Sequence, residues 1–236
     1  MTPFEILYQD NYLIAINKPA GMLVHRTRIA EEESVFVLQL LREQTGMHLY
    51  PVHRLDRPTS GVLLFAFDSQ TARLLSESLI SGNVAKRYVA LVRGWFRGEN
   101  DLCYPVKNDR GNLQEAHTLF RGEEYFILNK PIGTFPTSRY STVACYPKSG
   151  RWHQIRQHLA HLRHYIINDR VHGDGKHNRA FKHELSIEPL FLHAESLTMP
   201  HPHTGEELRI KAQFPEHWEM FRELPLVEKV SLESEE

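Results

Sequence analysis

The sequence predicts an α+β fold, a single catalytic domain with a large mixed, mainly antiparallel sheet and flanking helices. Short runs rich in Ile, Leu, Val and aromatic residues recur along the 236 residues and outnumber the helical patterns. Helices and strands do not alternate strictly, as they would in a parallel α/β sheet. No apolar run is long enough to cross a bilayer. We expect one catalytic domain over 1–225 with room for two lobes, an acidic and mobile tail at 226–236, and no extra N-terminal RNA-binding domain.

The first part of the chain predicts a hairpin, a helix and a strand. FEILY and YLIAIN are short apolar runs separated by the turn-like QDN, as in a β-hairpin. Lys18-Pro19-Ala20-Gly21 interrupts the pattern. Three further elements are expected: a short extended piece over MLVH, a helix at 34–44 with Ser34 as its N-cap, and a strand at 62–67.

The remainder predicts several strands interrupted by helices. Asp68 or Ser69 can cap a helix that ends at 81–83. Helical spacing also covers 151–164 and the stretch HWEMFREL. The expected strands are KRYVALVRGWF, AHTLF, EYFILN, YSTVACYP, FLHAESLTM and ELRIKAQF. Residues 98–110 are polar and rich in turn formers, and no element is predicted there.

Charge is sorted along the chain, although the net charge is only −1. The window 148–182 holds eight Lys and Arg against two Asp, a local +6, so the other residues sum to −7. Such a window suggests a basic face for a polyanion. A solvated helix face that happens to be basic is the alternative.

Two cysteines do not make a disulfide framework. The N-terminus carries Glu5 and Asp10 and has no basic segment followed by an apolar one, so we expect no signal peptide. These features favour a bacterial or other cytosolic, cytoplasmic protein.

The stretch HRLDRPTSG places one carboxylate between two arginines, directly before an apolar run. Arg54 and Arg57 flank Asp56, and nearby cations favour the charged form of a carboxylate. Pro58 presets one backbone angle, and Gly61 allows conformations that other residues resist. These residues predict a shaped loop that holds a charged oxygen at the start of a strand. A surface turn with an ordinary, weak ion pair is the alternative.

Five sequence blocks carry a resemblance to a known family. In chain order they are INKPAGMLVH, HRLDRPTSG, KRYVALVRG, SGRWHQIRQHLAHL and LFLHAESLTMPHP. The chain resembles the pseudouridine synthases of the class that includes the large-subunit ribosomal enzyme A, in which such blocks follow this order. The similarity extends over nearly the whole chain. It implies an enzyme that converts a uridine of RNA to pseudouridine within a central RNA-binding cleft.

That reaction breaks a carbon–nitrogen glycosidic bond and joins C5 of the uracil to the same sugar. No redox change occurs, so no electron-carrying cofactor is expected. An ionised carboxylate is needed as nucleophile or base. The resemblance assigns this role to Asp56, stacking on the uracil to Tyr88, and pairing with the Asp56 carboxylate to Arg156. Without it, Tyr88 is an ordinary strand aromatic and Arg156 an ordinary helix cation. Whether Asp56 attacks the sugar, attacks the ring or removes a sugar proton stays open.

RNA binding and base flipping are further implications of the resemblance. A stacked uridine hides the atoms to be attacked, so the target nucleotide should leave its stack. Arg54 is expected to help occupy the gap. The candidates for phosphate contacts are Arg57, Arg151, Arg163 and Arg170.

Within the family, the blocks look most like members that modify uridine 65 of certain tRNAs, and ribosomal RNA is the alternative substrate. No membrane and no obligate protein partner are inferred. Residues 164–169, HYIIND, depart from the family, which usually has a proline after the histidine and a glycine before the aspartate. We expect this change to alter the turn. The segment between Leu102 and His117 is also short beside close relatives.

Three other functions are alternatives for this sequence. A zinc site could use His158, His161 and His164, but the run HLAHLRH lacks a nearby carboxylate. A glycosidase normally needs two facing carboxylates, and the HRLDRPTSG block offers one. A non-catalytic RNA-binding module would not need Asp56 at all.

Overall fold

The computed structural model describes residues 3–25 and 36–231. The helices in these ranges are α1 (Val37–Thr45), α2 (Ser69–Ser81), α3 (Gln154–His161), α4 (Gly175–Glu184) and α5 (Glu216–Arg222). The strands are β1 (Ile6–Gln9), β2 (Leu13–Lys18), β3 (Tyr50–Pro51), β4 (Ser60–Ala66), β5 (Ala85–Arg93), β6 (Glu99–Cys103), β7 (Val106–Lys107), β8 (Leu113–Gln114), β9 (His117–Leu128), β10 (Ser138–Pro147), β11 (Leu192–Pro200), β12 (Glu207–Lys211) and β13 (Val227–Val230). No helix among the described residues is both long and apolar enough to span a membrane.

The chain forms two compact units. Unit 1 comprises Met1–Lys86 and His193–Gln213, and unit 2 comprises Arg87–Leu192 and Phe214–Glu236. Each unit is therefore built from two separate pieces of the chain.

In unit 1, strands follow the order β1, β2, β4, β11 and β12, and β3 also pairs with β4. All pairs are antiparallel except β4 with β11, which is parallel. The seven residues of β4 are all buried. Apolar side chains of β2, β4 and β11 form a core with Leu75 of α2. The catalytic candidate Asp56 lies in the loop directly before this buried strand.

In unit 2, strands follow the order β5, β10, β9 and β13, and β6 also pairs with β9. These pairs are antiparallel. A separate antiparallel pair, β7 with β8, forms a small hairpin. Aromatic rings fill the core, where Tyr140 of β10 packs edge-on against Phe181 of α4 and Phe221 of α5.

These pairings confirm the predicted α+β class with a mixed, mainly antiparallel sheet. The hairpin of β1 and β2, the strand β4 and the capped helix α2 are also as predicted. Asp68 caps α2 by accepting from the Thr71 N–H at 2.8 Å, and Gly82 ends it in the left-handed conformation. The single catalytic domain over 1–225 and the central cleft stay predictions.

The extended piece predicted over MLVH is not a strand. The carbonyls of Leu23 and Val24 instead accept hydrogen bonds from the N–H groups of Val37 and Leu38 at 2.9 and 3.0 Å. They satisfy donors at the start of α1, which lacks a side-chain cap. The predicted cap Ser34 lies outside the described residues.

The predicted helix at 151–164 is shorter than expected. It begins only at Gln154, because His153 adopts a left-handed conformation with φ 51°. The Gln154 side chain accepts the Arg151 N–H at 3.0 Å and so stabilises a turn in place of the first helical residues. Arg163, also left-handed with φ 62°, lies beyond its end.

Three other regions differ from prediction. Residues 98–110 contain the exposed polar strand β6, which the apolar pattern could not indicate. Helix α4 was missed, although Asp174 caps it by accepting the Lys176 N–H at 2.8 Å. The tail predicted at 226–236 includes the strand β13, which pairs with β9 and whose Lys229 contacts Glu124 at 2.6 Å, and the mobility of this tail stays a prediction.

Candidate active site

The HRLDRPTSG loop is fixed within unit 1 by the loop that follows β2. The Arg57 carbonyl accepts two hydrogen bonds, from Lys18 Nζ at 3.1 Å and from the Gly21 N–H at 2.9 Å. Arg57 Nε donates in return to the Gly21 carbonyl at 2.9 Å. Because Arg57 directly follows Asp56, these three bonds hold the backbone beside the carboxylate.

Lys18 is a functional candidate that sequence reasoning missed. Its side chain is fully buried, and its ammonium also donates to the Pro19 carbonyl at 2.9 Å. Burial lowers the pKa of Lys18 to about 7, against the opposing attraction of the Asp56 carboxylate. The sequence feature that could have identified Lys18 is its position, because it ends an apolar strand and directly precedes Pro-Ala-Gly.

Gly61 allows the loop to join β4 where β11 approaches closely. Its φ is +112°, and a Cβ atom at this position would lie 2.2 Å from the Ala194 carbonyl oxygen. The neighbouring Ser60 hydroxyl forms a hydrogen bond of 2.9 Å with His193 Nδ1, and both side chains are buried. The predicted role of Gly61 is therefore confirmed, with steric exclusion as an added cause.

His53 and Thr59 complete the loop on either side of Asp56. His53 Nε2 accepts the Leu64 N–H at 3.1 Å, which fastens the loop to β4. Burial, helped by the charge of Lys86, lowers the pKa of His53 to about 4. The ring is thus neutral at pH 7, as an acceptor must be. The Thr59 N–H donates to the Asp56 carbonyl at 3.0 Å and closes a turn.

The two catalytic candidates of unit 2 lie on different elements. Tyr88 is on β5 opposite Cys145 of β10, partly buried against the aromatic core. Arg156 is on α3 and is only 4% exposed. Its Nε and one terminal nitrogen donate to the two Asp169 oxygens, each at 2.7 Å. This bidentate pair fixes the plane of the guanidinium. The pairing of Arg156 with Asp56 stays a prediction.

Asp169 is the second residue that sequence reasoning missed. Burial alone would raise its pKa, but the hydrogen bonds and charge of Arg156 outweigh this effect and lower it. Its carboxylate also accepts the N–H groups of Val171 and His172 at 2.9 and 3.0 Å. The preceding Asn168 has φ 63°, a left-handed conformation that asparagine tolerates better than most residues. Asparagine therefore suits the position where the family usually has glycine, and any effect on RNA contacts stays a prediction.

Comparison with known proteins gives the family. Residues 12–161 match the family model described as RNA pseudouridylate synthase. This chain belongs to that family. The matched range contains Asp56, Tyr88 and Arg156, and the resemblance seen in the five sequence blocks is confirmed.

Relatives of this synthase match over most of their length. A Vibrio cholerae protein named tRNA pseudouridine synthase C is 46% identical over 91% of this chain and 93% of the relative. Proteins of the same name from Salmonella typhimurium and Haemophilus influenzae are each 44% identical over 91% of this chain, and cover 86% and 95% of those relatives.

Two solved structures share the fold of this synthase. Human RNA pseudouridylate synthase domain containing 4 superposes with a TM-score of 0.69 at 24% identity, over 92% of this chain and 93% of the human chain. Human RNA pseudouridylate synthase domain containing 1 gives 0.71 at 22% identity, over 91% and 87%. At these identities the likeness concerns the fold alone.

The arginines predicted to contact RNA in this synthase are all exposed: Arg54, Arg57, Arg151, Arg163 and Arg170. Some have structural contacts as well. Arg151 Nε donates to the Glu115 carbonyl at 3.1 Å, and Arg170 lies 3.6 Å from the Glu188 carboxylate. Their exposure is compatible with phosphate contacts, which stay predictions.

The histidines of HLAHLRH have partners within the protein. His158 is buried, with Nδ1 at 3.0 Å from Thr118 Oγ1 and Nε2 at 2.8 Å from the Tyr104 carbonyl. His161 stacks on the Tyr104 ring, with centroids 3.8 Å apart. His164 Nδ1 lies 3.1 Å from the Arg93 carbonyl. The spacing of these histidines is therefore explained by packing contacts.

Proposed function

We propose that this enzyme converts uridine 65 of tRNA to pseudouridine, with Asp56 as the catalytic nucleophile or base. The observation that carries the proposal is the similarity, at 46% identity over 91% of the chain, to a relative named tRNA pseudouridine synthase C. The fixed HRLDRPTSG loop supports the assignment of Asp56, because its neighbours hold the backbone on both sides of this residue.

The reaction is an isomerisation in which no atom is lost. The bond from the sugar C1′ to N1 of the uracil breaks, and a bond from C1′ to C5 forms. The hydrogen on C5 leaves as a proton, and N1 gains a proton. An ionised Asp56 starts this sequence by attack or by proton removal. This step by the Asp56 carboxylate requires neither a metal ion nor a redox cofactor.

The surrounding residues have positioning roles in this proposal. The hydrogen bonds of Lys18 and Gly21 to the Arg57 carbonyl fix where the Asp56 carboxylate can point. Asp169 holds the Arg156 guanidinium in one plane, ready to pair with a carboxylate. Tyr88 offers an aromatic face to the uracil.

Access to the uridine requires base flipping, which costs a few kcal/mol for unstacking. Arg54 is proposed to help occupy the gap, and the other exposed arginines to bind phosphates. Because tRNA is made and used in the cytoplasm, the proposed substrate implies a cytoplasmic enzyme.

The substitution Asp56→Asn tests the catalytic role. We expect it to reduce pseudouridine formation at least about a hundredfold, as loss of a general base would, while tRNA binding stays near wild type. Purified protein is incubated with unmodified tRNA, and pseudouridine and filter binding are measured. Asp109→Asn, an exposed aspartate in the hairpin of β7 and β8, is the matched control. Retained pseudouridine formation in Asp56→Asn would contradict the assignment of Asp56 as the catalytic residue, whereas a wild-type protein that binds tRNA without forming pseudouridine would favour the non-catalytic alternative.

The substrate is tested separately by mapping pseudouridines in all RNA from a strain that lacks this protein. Loss of the modification at tRNA position 65 alone is the expected result. A missing site in ribosomal RNA would instead favour the alternative substrate.

A further inference from the structure

Unit 2 carries a second aromatic and basic site that the proposed catalysis does not use. A cavity of about 460 Å³ lies where β5 ends and β10 begins, and its lining includes Arg93, Phe135 and Arg139. The Arg139 guanidinium lies 4.3 Å from the centroid of the Trp95 ring. The Phe135 ring is 75% exposed. We call Trp95, Phe135, Arg139 and Arg93 the Arg139 platform.

The charge of the Arg139 platform is positive. Within the residues that the structure describes, Arg139 has no carboxylate within ion-pair distance. Arg93 pairs with Asp174 at 2.6 Å, and that pair is charge-neutral. His177, which also lines the cavity, adds no positive charge at pH 7, because burial lowers its pKa. Among the described residues, Arg139 is therefore a cation without an anionic partner, and it lines a cavity that an anion can enter.

The Trp95 ring orients the Arg139 guanidinium. A guanidinium stacked on an aromatic face keeps its N–H groups in its own plane, where they can bind a phosphate in bidentate fashion. The Trp95 ring is itself fixed, because its Nε1–H donates to the Phe126 carbonyl at 3.2 Å. The exposed Phe135 ring offers a face on which a base can stack. The Arg139 N–H groups can bind a phosphate and the Phe135 ring can stack on a base, so together they match a nucleotide.

The strand register separates the platform from Tyr88. Cys145 of β10 is opposite Tyr88 of β5, and Arg139 lies six positions before Cys145 on the same strand. Alternation places Arg139 and Tyr88 on one face of the sheet, roughly 20 Å apart along the strand. A uridine stacked on Tyr88 would not reach the platform, so its occupant is another nucleotide.

We propose that the Arg139 platform binds a second segment of the substrate RNA, with a phosphate on Arg139 and a base on Phe135. The proposal rests on the proposed function in that it requires an RNA substrate. It adds a binding site remote from the reacting uridine, which would contribute to affinity and substrate choice rather than to the chemical step.

The test compares Arg139→Gln and Phe135→Ala with Arg121→Gln, since Arg121 is an exposed arginine of β9 that lies 3.6 Å from the Glu99 carboxylate. We expect the two platform variants to raise Kd and KM for tRNA about tenfold, within the range for loss of one stacked base or one phosphate contact. Their kcat at saturating tRNA should stay at the wild-type value, and Arg121→Gln should bind as wild type does.

The salt dependence of binding gives an independent readout. For Arg139→Gln, the slope of log Kd against log salt should fall by about 0.7 to 0.9, as one phosphate contact predicts. Wild-type Kd values in both platform variants, or a reduced kcat with KM unchanged, would overturn the proposal. Failure of the proposed function is distinguishable, because the wild-type enzyme would then form no pseudouridine in tRNA.

Discussion

At Lys18 the chain buries a cation between two backbone carbonyls, next to the loop that carries Asp56. Such a group is costly to bury in its charged form, and the two acceptors compensate only part of this cost. Its pKa of about 7 means that its charge changes near neutral pH. The electric field that Lys18 exerts at Asp56 therefore changes with pH. The shifted pKa of Lys18 can be tested through the pH dependence of protein stability.

The folded pKa of Lys18, about 7, lies below the ordinary value of 10.5. Between these values the unfolded chain binds more protons, so the Lys18 contribution to stability rises with pH, by up to about 1.4 kcal/mol per unit. We expect Lys18→Met to lack this rise. Urea unfolding of both proteins from pH 8 to 9.5 measures the difference. A constant difference in unfolding free energy across this range would contradict the shifted pKa.

Sequence reasoning found residues whose chemistry is local and missed those whose role depends on tertiary burial. Gly61 was identified, and Asp56 was predicted as the catalytic residue, because charge flanking and turn chemistry are visible in nine consecutive residues. Lys18 was missed, because its acceptor on Arg57 lies 39 positions away. Asp169 was noticed only as part of an unusual turn, since its pairing with Arg156 requires knowledge of how α3 packs.

Among the elements, the parallel pair of β4 and β11 bears most directly on the site, because the Asp56 loop enters β4. Elements with strong periodicity or clear caps, such as α2 and β4, were predictable. The exposed strand β6 was not, because its residues gain little from burial and are ordered by hydrogen bonds to β9. The beginning of α3 was also unpredictable, since one left-handed histidine, His153, delays it.

Gly61→Ala should destabilise unit 1 by about 3 kcal/mol or more, because backbone strain adds to a collision with the Ala194 carbonyl. Gly82→Ala is the matched control, since Gly82 also has positive φ but its added Cβ would meet nothing within 4 Å. We expect about 1–2 kcal/mol there. Urea unfolding measures both variants, and equal losses would contradict the steric account.

At the scale of the whole molecule, charge distribution is the property that the sequence indicated best. Of the eight cations in the window 148–182, seven are exposed and only Arg156 is buried. Three of the exposed cations, Lys176, Arg179 and Lys182, recur every third residue along α4. These seven cations therefore lie at the protein surface rather than in internal ion pairs, although Lys182 and Arg170 both lie near Glu188. That they form one basic face stays a prediction.

Binding of tRNA should weaken steeply with salt, because phosphate contacts release counterions. With at least two such contacts, Kd should rise about tenfold or more between 50 and 200 mM salt. Filter binding of the wild-type enzyme over this range measures the slope. A flat response would leave the exposed arginines without the role proposed for them.

The division of unit 1 into two chain segments has a consequence for biosynthesis. Ser60 and His193, which join β4 to β11, are separated by 133 positions. At translation speeds of about 5–20 residues per second, roughly 7 to 27 seconds pass between their emergence from the ribosome. During this interval Ser60 and Gly61 lack their native partners in β11, although β3 can pair with Phe65 and Ala66 of the same strand. The nascent enzyme can thus complete the pairing of β4 with β11 only after residues 87–192 of unit 2 have been synthesised.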